Sequence, residues 1–96
     1  MPKGYWVAKA NILDDEKLSR YGKQAERAIE KFGGKFLVRG GQHETKEGID
    51  FSRNVVVEFD SYDKALTAYS SEEYKKALKL LEGGADRMYA VVEGYE

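Results

Sequence analysis

Two arginines set the chemical question. Arg39 ends the run FLVR and is followed by Gly40 and Gly41, while Arg53 opens the run RNVVVEFD. If both runs are strands of one hairpin, cross-strand pairing brings the two guanidiniums within roughly 5–8 Å of each other on a regular ladder. Like charges that close require an anion. Glu44, Glu47 and Asp50 in the intervening loop, or Glu58 on a face shared with Arg39, could supply it from within the protein. A small carboxylate or phosphate from outside would serve equally, because guanidiniums bind both through paired charge-assisted hydrogen bonds. Gly40-Gly41 suits either case, since glycine allows a positive-φ turn and close approach of a ligand or a neighbouring backbone. With an external anion, the loop QHETKEGIDFS would act as its lid.

Other side chains could add proton chemistry. Glu58 is the one acid set within the valine-rich strand. Burial would raise its pKa and make it a proton acceptor, whereas pairing with Lys9 or Arg39 would keep it a structural carboxylate. His43 has a side chain that titrates near neutral pH and is the second candidate base, against the alternative of a solvated loop histidine. Tyr69 and Tyr74 flank a helix break, with rings suited to the core and hydroxyls able to reach a pocket. The candidate set is therefore Glu58 and His43 for catalysis, and Arg39, Gly40, Gly41, Arg53, Tyr69 and Tyr74 for ligand binding.

Several chemistries are excluded. The chain has no cysteine, hence no thiolate nucleophile and no sulfur-ligated zinc. It also has no Walker, dinucleotide-fingerprint, nucleophile-elbow or metal-ligand spacing. The expectation is function without a metal or an organic cofactor. Sixteen basic residues stand against 17 acids, a formal charge of −1, which provides no field for polyanions. RNA recognition motifs place aromatics and a basic-glycine signature in their third strand, whereas RNVVVEFD offers valines and an acid, so nucleic acid is not an expected partner. No signal peptide or 18-residue apolar run is present, which points to a soluble, cytoplasmic protein off the membrane.

These residues must be positioned by a chain of 96 residues, read as a single domain spanning 1–96. GYWVAKANI, residues 4–12, alternates as a strand. Asp14 and Asp15 then open a helix with the stripe Leu18, Tyr21, Ala25, Ala28, Ile29 and Phe32, stopped by Gly33-Gly34. A strand is expected over 35–41, a polar loop over 42–52, and a third strand over 53–60, whose three successive valines imply cover on both faces. Ser61 starts the next helical region, and the Ser70–Glu73 spacing of a capping box restarts it before a stop at Gly83-Gly84. DRMYAVVEGYE supplies the last strand. The order β-α-β-β-α-β predicts an α+β, ferredoxin-like fold: a four-stranded antiparallel sheet with two helices on one face.

Two helices cover one side of such a sheet only. Choosing the more uniformly apolar parity in each strand assigns Trp6, Ala8, Ala10, Ile12, Phe36, Val38, Val55, Val57, Phe59, Met88, Ala90 and Val92 to the helices. Tyr5, Val7, Leu37, Val56, Tyr89 and Val91 then share the bare side with Lys9, Lys35, Arg39, Glu58 and Arg87. That is too much apolar surface for a face turned to water, so the bare side is expected to pack on a second copy of the chain. A bulge in any strand would flip part of this assignment.

Read together, GYWVAKANI, GGKFLVRGG, RNVVVEFDS, the A-x-x-x-Y-x-S-x-x-Y pattern at Ala65, Tyr69, Ser71 and Tyr74, and the closing VVEG resemble domain of unknown function 1330, a group within the dimeric α/β-barrel superfamily. The resemblance implies a ferredoxin-like protomer whose sheet packs against its twin, a dimeric α/β barrel, and brings no assigned activity. Wider relatives include cofactor-free oxygenases, isomerases, decarboxylases, haem-degrading enzymes and ligand-sensing domains. Haem degradation fits poorly, because the sole histidine, His43, lies in a loop. KKALKLLEGG departs from the group's pattern by lacking an arginine near its end. Two functions follow as expectations: a homodimer that binds or transforms a small anionic metabolite, or a structural or regulatory dimerisation module in which the arginines fix the dimer register.

Overall fold

The computed structural model describes residues 2–96; Met1 lies outside them. The elements are β1 (Gly4–Ile12), α1 (Asp15–Lys31), β2 (Lys35–Arg39), β3 (Arg53–Phe59), α2 (Tyr62–Tyr69), α3 (Glu72–Leu81) and β4 (Ala85–Glu93). The strands form one antiparallel sheet in the order β2-β3-β1-β4. No helix among the described residues is long and apolar enough to cross a membrane.

Local chemistry sets each helix boundary. The Asp14 side chain accepts from the Lys17 N–H and caps α1, and the chain leaves the helix through Gly33 at φ 73°. Ser61 caps α2 in the same way. The restart before α3 uses Ser71 and not Ser70: Ser70 still has a right-handed helical backbone and donates its N–H to Leu66. Ser71 is extended, so only its hydroxyl can fold back onto the Tyr74 N–H. The second helical region is therefore two helices, and three helices in all cover the sheet.

Their shared core centres on Trp6, which is 1% exposed and stacks obliquely on Phe59 and Tyr74 at centroid separations of 5.0 and 4.8 Å. Its indole Nε1 donates to the Ala65 carbonyl at 2.8 Å, tying β1 to α2. Ala28, Ala65, Ala68 and Ala77 let the helices approach this ring cluster closely.

Register decides which residues face the helices, and here two expectations are corrected. Trp6 pairs with Val57 and Val91, and Ala8 with Val55 and Tyr89. In an antiparallel sheet directly opposed residues share a face, so Arg87, Tyr89 and Val91 lie on the helix side. Met88, Ala90 and Val92 lie on the open side, with Met88 58% and Val92 44% exposed. In β2, Phe36 pairs with Val57 but Val38 with Val56, leaving Leu37 as a bulge. The extra residue turns Val38 to the open side and Arg39, opposite Val55, to the helix side. The open face therefore carries Val7, Val38, Val56, Met88, Ala90 and Val92.

Candidate functional site

Register rows on the helix side build the site. One row runs Arg53, Ala10, Arg87 across β3, β1 and β4; the next runs Arg39, Val55, Ala8, Tyr89 across all four strands. Arg39 and Arg53 are thus diagonal neighbours, while Arg53 and Arg87 stand on either side of Ala10 with Cα atoms about 10 Å apart. Between them the sheet carries only methyl groups. Above those alanines, α1 contributes Tyr21, Gly22, Ala25 and Glu26. A cavity of about 360 Å³ lies between helix and sheet, walled by these residues and by Phe36.

The charges in its wall are unbalanced. Arg39, Arg53, Arg87 and Lys23 line the cavity, against Asp15 and Glu26. Glu26 takes Arg39 in an ion pair of 2.7 Å, and the same guanidinium lies 4.2 Å from the Phe36 ring centroid. The internal counterion is therefore on α1 and not in the 42–52 loop. There Glu44 pairs with Lys46 and Asp50 accepts from Thr45. Arg53 and Arg87 have no carboxylate partner among the described residues. Arg87 instead sits between two rings, 5.1 Å from Tyr21 and 4.8 Å from Tyr89, and donates to the Tyr21 hydroxyl at 3.1 Å. Burial works against its charge, yet the Tyr21 and Tyr74 hydroxyls outweigh that effect and raise its pKa, so Arg87 stays cationic.

The glycines divide in role. Gly40 donates its N–H to the Asn54 carbonyl at 2.8 Å with φ 69°, and a side chain there would strike the Arg53 guanidinium. It fixes the hairpin and leaves Arg53 its place. Gly41 faces open space.

The remaining candidates lie elsewhere. Glu58 is on the opposite face of the sheet, across from Tyr5, whose hydroxyl donates to it at 3.1 Å; the face it was expected to share with Arg39 is lost to the Leu37 bulge. His43 is in the loop with Nε2 3.9 Å from an Asp50 oxygen, outside the cavity wall. Tyr69 and Tyr74 belong to the ring cluster around Trp6 and neither lines the cavity; the Tyr74 hydroxyl lies 2.6 Å from that of Tyr21, which does. Among the described residues no group of three or more His, Asp or Glu side chains could hold a metal ion.

Tyr21, Glu26, Arg87 and Tyr89 are the wall residues that sequence reasoning does not select. No residue pattern in the sequence singles them out; the nearest signal is Gly22, which lines the same wall from inside a helix, where glycine costs about 1 kcal/mol relative to alanine. In the structure the place of its missing side chain is 3.6 Å from the Arg39 guanidinium.

Comparison with known proteins agrees with this architecture. Residues 3–95 match the family described as Domain of unknown function (DUF1330). No curated protein matches the sequence. A protein of unknown function from Rhodopseudomonas palustris superposes with a TM-score of 0.78 at 14% identity, covering 99% of this chain and 84% of that one. The cofactor-independent oxygenase SnoaB from Streptomyces nogalater gives 0.64 at 9% identity, covering 100% and 96%. A dimeric protein of unknown function and ferredoxin-like fold from Bacteroides fragilis gives 0.56 at 17% identity, covering 95% of each chain. At these identities the likeness is one of fold.

Proposed function

The chain belongs to the DUF1330 family, and from that premise we propose that it is a homodimer in which each protomer binds a small organic anion in the cavity between α1 and the sheet. The observation that carries this reading is the pair Arg53 and Arg87: two guanidiniums in the wall of one cavity, with no carboxylate partner among the described residues. Leaving such charges unpaired in a partly enclosed site is costly, and a ligand carboxylate removes that cost with charge-assisted hydrogen bonds. The floor of Ala8 and Ala10 and the rings of Phe36 and Tyr89 favour a ligand with a flat apolar body. The dimer is supported by the apolar open face and by the dimeric neighbour of the same fold.

The alternative module, in which the arginines fix the dimer register, loses its mechanism: Arg39, Arg53 and Arg87 all point to the helix side, away from the open face. Native mass spectrometry of gently purified protein tests for a retained acid. Titration calorimetry with 3-nitrobenzoate tests the arginine directly. Arg53→Gln is expected to weaken binding roughly 10- to 100-fold with an unchanged unfolding midpoint. Equal affinity of parent and variant would reject the role of Arg53.

A further inference from the structure

Hydrogen-bond accounting at the β4 end of the cavity leaves one donor unspent. A guanidinium can only donate, so the Tyr21 oxygen is the acceptor in its 3.1 Å bond with Arg87. The 2.6 Å bond between Tyr21 and Tyr74 has no such constraint by itself. Burial supplies one. Tyr74 is 0% exposed and has two hydroxyls beside it, those of Tyr89 and Tyr21. The Tyr89 hydroxyl donates to Tyr74, so the oxygen left to take the Tyr74 proton is that of Tyr21, and a buried phenol that failed to donate would bear the full penalty of an unmade hydrogen bond. Burial foremost pushes the pKa of Tyr74 far up, and that of Tyr89 likewise, so both keep their protons. With Arg87 and Tyr74 both donating to it, the Tyr21 oxygen accepts two hydrogen bonds and its own proton is free. Tyr21 lines the cavity, so that proton is available to a ligand.

We propose that Tyr21 is the specificity-determining donor of the cavity, receiving a phenolic or enolic ligand oxygen, so that the ligand is a carboxylic acid carrying a second, acidic oxygen across an apolar body. This rests on the organic-acid reading above. Two donations into the Tyr21 oxygen, one from a cation, polarise its O–H and strengthen its bond to an oxyanion over its bond to a neutral oxygen. The cavity then has two unlike ends. Arg53 meets a carboxylate through paired hydrogen bonds. At the other end, where the Arg87 Cα stands about 10 Å from that of Arg53 across Ala10, Tyr21 held by Arg87 meets a ligand oxygen that releases its proton to solvent on binding.

Two probes separate this proposal from the reading beneath it. 4-Hydroxy-3-nitrobenzoate carries a carboxylate and a phenol whose ionisation is visible by colour; 3-nitrobenzoate lacks the hydroxyl. On the unaltered protein the hydroxylated probe is expected to bind at least roughly tenfold more tightly and to be bound as the phenolate at pH values where the free phenol is protonated. Tyr21→Phe keeps the ring beside Arg87 and is expected to abolish both the preference and the colour shift, leaving 3-nitrobenzoate affinity unchanged. Arg53→Gln should weaken both probes alike and keep the colour shift. Arg87→Gln removes the cation and should reduce the shift, so the donor role can be read even if Tyr21→Phe fails to fold. Equal affinity for the two probes on the unaltered protein, or a colour shift that survives in Tyr21→Phe, overturns the proposal and leaves the organic-acid reading standing. If neither probe binds, both fall.

Discussion

Val7→Asp is expected to abolish the dimer proposed above, leaving a monomer at micromolar concentration as read by sedimentation equilibrium. Val7 sits on β1, an inner strand of the sheet, opposite Val56 on one side and Ala90 on the other, and it is 38% exposed in the protomer. With Val38, Met88 and Val92 it forms the apolar surface that no helix covers. A carboxylate forced into a dry interface without a partner costs several kcal/mol, and a two-fold dimer carries the substitution twice. The combined loss exceeds what an interface of ordinary size can absorb, so association should weaken by roughly a thousandfold or more. Lys9, next but one along the same face, stands between Asn54, to which it is hydrogen-bonded, and Met88; Lys9→Ala removes a charge from that face without burying a new one and serves as the mild control. An unchanged sedimentation profile for Val7→Asp would show that the open face is not the contact surface.

Trp6→Ala is expected to cost about 3–5 kcal/mol, the range for removing a large aromatic from a packed core. Trp6 touches Phe59, Tyr69, Tyr74 and Tyr89, so its loss opens a void in the middle of the ring cluster. It also removes the indole bond to Ala65. For a protein of this size the thermal midpoint should fall by roughly 15–30 °C, measured by the near-ultraviolet or circular-dichroism transition. Trp6→Phe refills part of the void and should fall by less than half as much. A midpoint unchanged by Trp6→Ala would mean that the helices are held to the sheet by other contacts.

The two substitutions act on opposite faces of the same strand, and that strand is the one most plainly written in the sequence. In GYWVAKANI a single parity is apolar throughout, Trp6, Ala8, Ala10 and Ile12, and the other carries Lys9 and Asn11. Strand β4 is harder. Arg87, Tyr89 and Val91 alternate with Met88, Ala90 and Val92, and the more uniformly apolar set belongs to the open side, where no helix covers it. Apolarity alone therefore chooses the wrong face there. In β2 the bulge at Leu37 has no local marker, neither glycine nor proline, because the partner strand imposes it. These two reversals hide the site from sequence reading. They bring Arg39 and Arg87 to the side of Arg53 and leave Glu58 behind. The arginine pair of the hairpin is legible; its third member and the tyrosine above it depend on tertiary register.

The imbalance of charge in the cavity wall has a kinetic consequence. The whole chain is close to neutral, at −1, yet four cations and two carboxylates meet in one recess walled largely by methyl groups and aromatic rings. Such low-dielectric walls send field lines out through the opening, where they draw an anion inward before any contact forms. Capture should therefore slow as ionic strength rises, once the Debye length shrinks below the width of the mouth, whereas escape, governed by contacts already made, should hardly change.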